Sequence, residues 1–303
     1  MKHDLRIVLA LIALFFVAQV VGLGLVYQDI KVDRAVINGT EVITVYHPET
    51  SLGPRPEVRN FDALLLILVS LVIGTGLILA IIKLDLLLVW KGFFSLAVFF
   101  SLSITFGVIL NSTIAIILGL FLTYYKMKKY NVVVYNLTEI LIYSGITILF
   151  VPLLNPLWTI ILLVIISGYD MFAVWKSKHM VKMAEYQMKS SAFAGLSIPY
   201  KPHRPHIKYA RKVKVVNKTG QTQAILGGGD VAFPMLFAAS FMESLVAAGS
   251  TGIFVFLQAM IIPVVTTISL GMLLFYGKKG HFYPAMPFLT IGCLVGYAIA
   301  LVV

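Results

Sequence analysis

The sequence predicts an all-α polytopic membrane protein with nine transmembrane helices, the N-terminus cytoplasmic and the C-terminus outside. Three observations carry this. The chain is 59% hydrophobic and only 12% charged, about half the charged fraction of a soluble domain. Its apolar residues fall in long uninterrupted blocks, as expected of helices that satisfy their own backbone groups in lipid. Its cations lie between those blocks with a strong preference for one side. The net charge of +11 is therefore a matter of topology, and nucleic-acid binding is not expected. The single cysteine, Cys293, excludes an internal disulfide and a thiolate zinc site.

The elements follow in order. Met1-Lys-His-Asp-Leu-Arg leads into an apolar stretch too long for a signal-peptide core, with no small-residue cleavage site after it, so 5–27 is expected to remain as the first span. The other expected spans are 62–82, 86–106, 109–125, 132–152, 157–176, 223–247, 250–275 and 283–303, each near the ~20 residues a bilayer needs. The block 86–125 is too long for one helix and divides near Asn111-Ser-Thr. The block 132–176 divides at Pro152 and Asn155-Pro156, because proline ends helices. With nine spans, Lys31, Arg34, Arg55 and Arg59 face outside and the remaining 20 of the 24 cations face inside. Merging either divided block spoils that pattern. The whole chain, 1–303, reads as a single membrane-embedded domain.

The outer loop 28–61 places Asn38-Gly39 between Val36-Ile37 and Val42–Tyr46, a hairpin signal. Asn38 and Asn111 each open a glycosylation pattern, which is short and common. The inner loop 177–222 begins with Met180, Met183, Ala184, Gln187 and Met188 at helical spacing, with Lys178, Lys182 and Lys189 placed to meet anionic lipid heads. Pro199, Pro202 and Pro205 keep the next stretch extended, and Val213–Val216 alternates like a short strand. A solvated basic tether is the plainer reading of this loop. No internal repeat is visible, although an inverted-repeat transporter is expected to carry one.

Two aspartates stand inside the apolar blocks. Asp170 lies six positions before Lys176, at the inner end of the sixth span, and Asp230 about seven after Gln223, where the seventh is expected to begin. At ~1.5 Å per residue, both carboxyls are expected roughly 9–10 Å below the inner surface, on consecutive helices of opposite direction. An intramembrane carboxylate costs roughly 2.5–3.5 kcal/mol on insertion scales and usually faces a cavity or a partner. Two carboxyls in contact share one proton and titrate in separated steps. The ionised member can take a proton from water while the protonated member hydrogen-bonds the carbonyl under attack. That is aspartic-protease chemistry, which needs no metal, cysteine or cofactor. Gly227, Gly228 and Gly229 leave room just before Asp230 for another backbone.

These residues carry a resemblance. Tyr169-Asp170 in one span, Gly227-Gly-Gly-Asp230 in the next and Pro284-Ala285 opening the last resemble the Tyr-Asp, Gly-x-Gly-Asp and Pro-Ala-Leu signatures of the presenilin and signal-peptide-peptidase family of intramembrane aspartyl proteases, the GxGD type. The order of the motifs, in spans six, seven and nine, is presenilin-like, as is the long polar loop between six and seven, and the chain resembles prokaryotic presenilin homologues. Met286 stands where the family has leucine; methionine is similar in volume and adaptable, so the departure bears on substrate or inhibitor contacts. Pro284 is also a natural first-turn proline. The resemblance implies that Asp170 and Asp230 are catalytic, that Tyr169 packs or hydrogen-bonds beside Asp170, and that Pro284, Ala285 and Met286 shape the site. It further implies that Val213 and Val215, within Val213–Val216, add a strand to an unwound substrate. The implied substrates are transmembrane peptides within the cell membrane, with lipid around the chain and no accessory subunit evident. The N-in topology resembles presenilin, which implies single-span substrates with an outside N-terminus. The stretch Gly-Asp-Val-Ala-Phe-Pro234 looks more like the signal-peptide-peptidase branch.

Other polar residues are expected to be structural. Asp62, Asp85 and Glu139 lie near span ends, where a carboxylate reaches water or a helix N-terminus. Glu243 lies near the outer surface, far from Asp230. Gln19 and Gln258 read as interhelical hydrogen-bonders. His203 and His206 sit in a basic loop without acidic ligands, so no metal site is expected. The competing function is a proton- or cation-coupled transporter using the paired aspartates; the missing repeat and the Pro-Ala element count against it. A catalytically dead relative acting as a membrane chaperone is a third reading, and retention of both aspartates argues against that.

Overall fold

Proline and asparagine punctuate the apolar blocks where the sequence expects them to. In a computed structural model, which describes residues 5–37, 40–128, 131–174, 192–200, 222–276 and 283–303 together with Met183, Tyr186, Gln187 and Ser190, the Asn155 side chain accepts the Trp158 N–H at 3.1 Å and Pro156 opens the next helix. Asn131 and Asn111 accept main-chain amides in the same way.

In chain order the elements are α1 (Leu5–Asp29), β1 (Lys31–Ile37), β2 (Thr40–Tyr46), α2 (Asn60–Lys83), α3 (Leu87–Gly107), α4 (Ser112–Lys128), α5 (Val132–Phe150) with a 3-10 turn (Val151–Leu153), α6 (Pro156–Phe172), β3 (Gly195–Tyr200), β4 (Thr222–Gly227), α7 (Gly228–Ala247), α8 (Ile253–Tyr276) and α9 (Met286–Ala300). The helices α1, α2, α3, α5 with its turn, α7 and α8 are long and apolar enough to cross a bilayer. The other three are shorter: 17 residues in α4 and α6, and 15 in α9.

Two of the boundaries that differ from the sequence expectation bear on the site. The seventh span was expected from 223, but Thr222–Gly227 is strand β4, paired antiparallel with β3 so that Gly195 faces Gly227 and Tyr200 faces Thr222. Gly227, a poor helix former, closes the strand, where the ladder offers the backbone an alternative set of hydrogen bonds, and Gly228 and Gly229 open α7. The last helix was expected from 283 but begins at Met286, with Pro284 and Ala285 ahead of it. Val213 and Val215 lie outside the described residues, as do His203, His206 and most of the expected surface helix of the inner loop.

The core centres on α7, which packs against α1, α5, α6, α8 and α9 and buries Met235, Phe237, Ala238, Ala239, Phe241 and Met242 almost completely. By contrast α2 buries only Ala63, Leu64 and Ile81. Close helix approach rests on small residues, as in other membrane bundles. A Cβ at Gly296 of α9 would lie 2.8 Å from the Ile262 Cα of α8, and one at Gly145 of α5 would lie 2.1 Å from the Ser101 carbonyl of α3. The Gln19 side-chain amide donates to the Val231 carbonyl at 2.9 Å and Gln258 to the Ala300 carbonyl at 2.8 Å. Both act as the interhelical donors the sequence suggested.

The expected hairpin is present as β1–β2, paired antiparallel from Lys31 opposite Tyr46 to Ile37 opposite Thr40. Just beyond it the buried His47 bridges two carboxylates, with Nδ1 2.7 Å from Asp29 and Nε2 3.2 Å from Glu243. Arg55 Nη2 donates to both oxygens of the same Asp29 carboxyl, at 2.7 and 2.9 Å. Glu243 is thus structural, as expected, tying α7 to the end of α1. Burial works against a charged imidazole, but Asp29 and Glu243 outweigh it and the His47 pKa is raised. The folded chain therefore holds the proton more tightly than the unfolded chain. The stabilisation is complete below the unfolded value of about 6.5 and is lost as pH rises through the higher folded value. A series of thermal unfolding curves from pH 5 to 9 should show the wild type weakening across that window and His47→Asn staying flat.

Candidate active site

The end of α6 and the start of α7 meet at one side of the bundle. Asp170 lies in the last turn of α6 and is 6% exposed. Asp230 lies in the first turn of α7, and part of its surface remains accessible. Because β4 replaces the expected first turn and a half, Asp230 sits at the helix mouth instead of about seven residues inside. The two helices pack together, and the Asp170 charge acts on Asp230. Among the described residues no group of His, Cys, Asp and Glu is arranged to hold a metal ion.

Each carboxyl is held by main-chain amides at a helix start. The Asp230 carboxyl takes the N–H of Gly227, the residue that precedes α7. A Cβ at Gly227 would come within 3.1 Å of its Oδ2. Asp170 accepts the Met286 N–H at 3.2 Å and also that of Ala285. Ala285 occupies the cap position of α9 and has no capping side chain, so Asp170 performs that service from another helix. Helix N-termini favour negative charge, so both acids face positive dipole ends. Ser167, one turn before Asp170, joins Thr290 of α9 through a 2.6 Å hydroxyl pair.

The sequence-predicted residues distribute as follows. Asp170, Ala285 and Met286 converge at the α6–α9 contact, with Met286 3% exposed and Pro284 immediately before them. Gly227, Gly228 and Gly229 carry the chain from β4 into α7. The Tyr169 hydroxyl lies 3.3 Å from Thr75 of α2.

The three glycines differ in what surrounds them. A Cβ at Gly228 would meet the Tyr143 ring at 2.8 Å, whereas one at Gly229 meets only Phe233 at 3.4 Å, an ordinary contact. Gly228→Ala should therefore lower the unfolding midpoint by several degrees, the result of about 1–3 kcal/mol of overpacking. Gly229→Ala should hold or raise the midpoint, because alanine is the better helix former by about 1 kcal/mol. Any loss of activity in a stable Gly229→Ala chain then reports on substrate approach and not on folding. Thermal unfolding in detergent separates the two.

Sequence reasoning missed one cluster beside this site. Glu139 was placed near a span end with access to water, but it is 1% exposed. Its carboxylate pairs with Lys126 at 2.7 Å and takes hydrogen bonds from the Tyr143 hydroxyl and from the Gly195 N–H at 3.2 Å. Lys126, counted among the inward loop cations, has a side chain only 2% exposed. The signal available in sequence was weak: the lysine and the acid are 13 residues apart on different helices.

The family model "Signal-peptide peptidase, presenilin aspartyl protease" matches residues 12–303. A presenilin family intramembrane aspartate protease solved in space group P2 is 17% identical, with a TM-score of 0.59 and coverage of 97% of each chain. One solved in space group C222 is 15% identical, with a TM-score of 0.58, covering 96% of this chain and 95% of the other. No protein of curated function matches.

Proposed function

The chain belongs to the signal-peptide peptidase, presenilin aspartyl protease family, and from that premise we propose that Asp170 and Asp230 are the catalytic dyad of an intramembrane aspartyl protease of the GxGD type. One observation carries the reading: α6 and α7 pack together with Asp170 in the last turn of one and Asp230 in the first turn of the other, the only two acids among the described residues that the pair brings to this shared end. With one proton between them, the ionised carboxyl removes a proton from water as its oxygen attacks the peptide carbonyl. The protonated carboxyl hydrogen-bonds that carbonyl and stabilises the charge developing on it. Collapse of the tetrahedral species breaks the C–N bond, and the leaving nitrogen takes back a proton from the dyad.

The surroundings support the same reading. A peptide bond inside a transmembrane helix is shielded by its own hydrogen bonds, so a substrate must be extended before attack. The β3–β4 sheet runs into α7 two residues before Asp230, and a sheet edge is the kind of surface on which an extended peptide pairs through backbone bonds with little sequence demand. Val213 and Val215 are assigned to the same substrate-pairing role, and Tyr169, Pro284, Ala285 and Met286 to shaping the walls. The protein is an integral multi-pass membrane protein; we place it in the plasma membrane, acting without accessory subunits.

The topology drawn from charge, N-terminus in, predicts single-span substrates with an outside N-terminus. Purified chain in lipid vesicles, given matched single-span substrates of both orientations in heavy-oxygen water, should cut the N-out substrate faster and label the new carboxyl. Faster cutting of the inverted substrate would overturn the orientation. Ion flux that depends on the aspartates, without any cleavage, would favour the carrier reading.

A further inference from the structure

We propose that Glu139 is a positioning residue, fixing the β4–α7 junction that carries Asp230 through Tyr143 on one side and the β3 backbone on the other. The inference rests on the protease reading for its kinetic consequence but not for its structural one. The starting point is the buried Lys126–Glu139 pair. Lys126 spends its donors on Glu139 at 2.7 Å, on the Thr138 hydroxyl at 2.9 Å and on the Tyr135 carbonyl at 3.4 Å. Every acceptor lies on α5, so the cation holds Glu139 in one place. The other carboxylate oxygen is then free to take the Tyr143 hydroxyl and the Gly195 N–H.

Both of those partners lead to α7. The Tyr143 ring lies against Gly228, the first residue of α7, with no space left for a methyl group between them, and Asp230 lies within electrostatic reach of its hydroxyl. Gly195 opens β3 and faces Gly227 in the ladder, while the Gly228 N–H donates to the Ala194 carbonyl at 3.3 Å. The same face of α5 grips β3 elsewhere. Asn136 holds Ser197 by both main-chain groups, at 2.8 and 2.9 Å, and the Tyr135 hydroxyl donates to the Phe193 carbonyl at 2.6 Å. An ion pair kept only for stability has no need of this geometry, since well-packed apolar groups serve as well. Here the carboxylate reads two separate segments that converge on the residues just before Asp230.

The test uses the full-length chain in lipid nanodiscs, with three variants and two readouts. Tyr143→Phe keeps the ring against Gly228 and removes only the hydroxyl. Glu139→Gln keeps an acceptor oxygen, and the paired change Glu139→Leu with Lys126→Leu removes the polar anchor without leaving a lone charge. Hydrogen exchange of the amides of 224–231 should quicken in the paired variant, less so in Tyr143→Phe, and least in Glu139→Gln. The kcat should fall in the same order, by about tenfold or more in the paired variant, while KM stays within about twofold, because geometry at the reacting centre is lost and not substrate binding. Parent exchange in Tyr143→Phe and in the paired variant overturns the anchor. Faster exchange with parent kcat makes the cluster merely structural and overturns the positioning role. If the wild-type chain cuts no peptide while exchange still rises, the protease reading falls and the anchor stands. Should the paired variant fail to fold, Tyr143→Phe and Glu139→Gln decide both questions.

Discussion

Asp170→Asn and Asp230→Asn should each slow peptide hydrolysis by about 10⁴-fold or more, the upper end of what one general acid or base supplies, with no loss of folding. The two halves of this expectation have separate physical grounds. Hydrolysis needs one carboxylate and one carboxylic acid. An amide can still hydrogen-bond a carbonyl but can neither take a proton from water nor give one up. A single replacement therefore removes a whole function, and the double variant should be no slower than either single one, as is usual for groups that act as a unit. Folding has no such need of charge, since an intramembrane carboxylate costs roughly 2.5–3.5 kcal/mol and its neutral replacement is released from that penalty. Asparagine is the sounder choice at 170 in particular. Its oxygen can still accept the Ala285 and Met286 amides that Asp170 holds, whereas alanine would leave the start of α9 uncapped at a cost of about 0.5–2 kcal/mol. Product formation in vesicles and thermal unfolding of the same preparations check both halves. Residual cleavage near the parent rate in either variant would place the chemistry on other residues.

Gly296→Ala should lower activity by about 10²-fold and stability by about 1–3 kcal/mol, although Gly296 is far along α9 from the acids. A Cβ there would stand 2.8 Å from the Ile262 Cα and 3.3 Å from the Ile262 carbonyl oxygen. Both obstacles are backbone, so no side chain can turn aside, and α8 and α9 must part. Gly292, one turn earlier, would meet the Thr266 Cα at 3.0 Å, so the two helices touch along a stripe and not at a point. Since α9 presents the amides that hold Asp170, a displacement of the helix is passed to the carboxyl. Gly24→Ala is the matching control, because a Cβ at Gly24 meets nothing within 4 Å. Parallel measurement of kcat and unfolding midpoint for the two variants distinguishes a specific wedge from a general intolerance of added methyls.

The membrane-spanning pattern was legible because lipid imposes a severe rule: every backbone group in it must be paired internally, so apolar length and helix become nearly the same thing. Pro152 and Asn155-Pro156 were readable for a local reason, since a proline has no N–H to give to the preceding turn and is favoured at a helix start, where the asparagine before it supplies the cap. The strand at Thr222–Gly227 was not readable. Its apolar residues are only Ala224–Leu226 before Gly227, and over six residues a strand and a helix turn look alike in composition. Only pairing with Gly195–Tyr200, more than twenty residues earlier, decides between them. Lys126 and Glu139 failed for a related cause. Each lies near a helix end, where charge ordinarily meets water, and nothing in the order of residues announces that the two ends fold against each other and against β3. Asp170 and Asp230 could be singled out because the cost of burying an acid is local and visible, whereas what holds them in place is built from long-range contacts.

The β4 strand ends at Gly227 and α7 begins at Gly228, with no connecting residue between them. Such a joint has no slack. On the protease reading, a peptide seated along the sheet would tug on the same covalent thread that carries Asp230, so that loading and alignment of the acid would be one mechanical act.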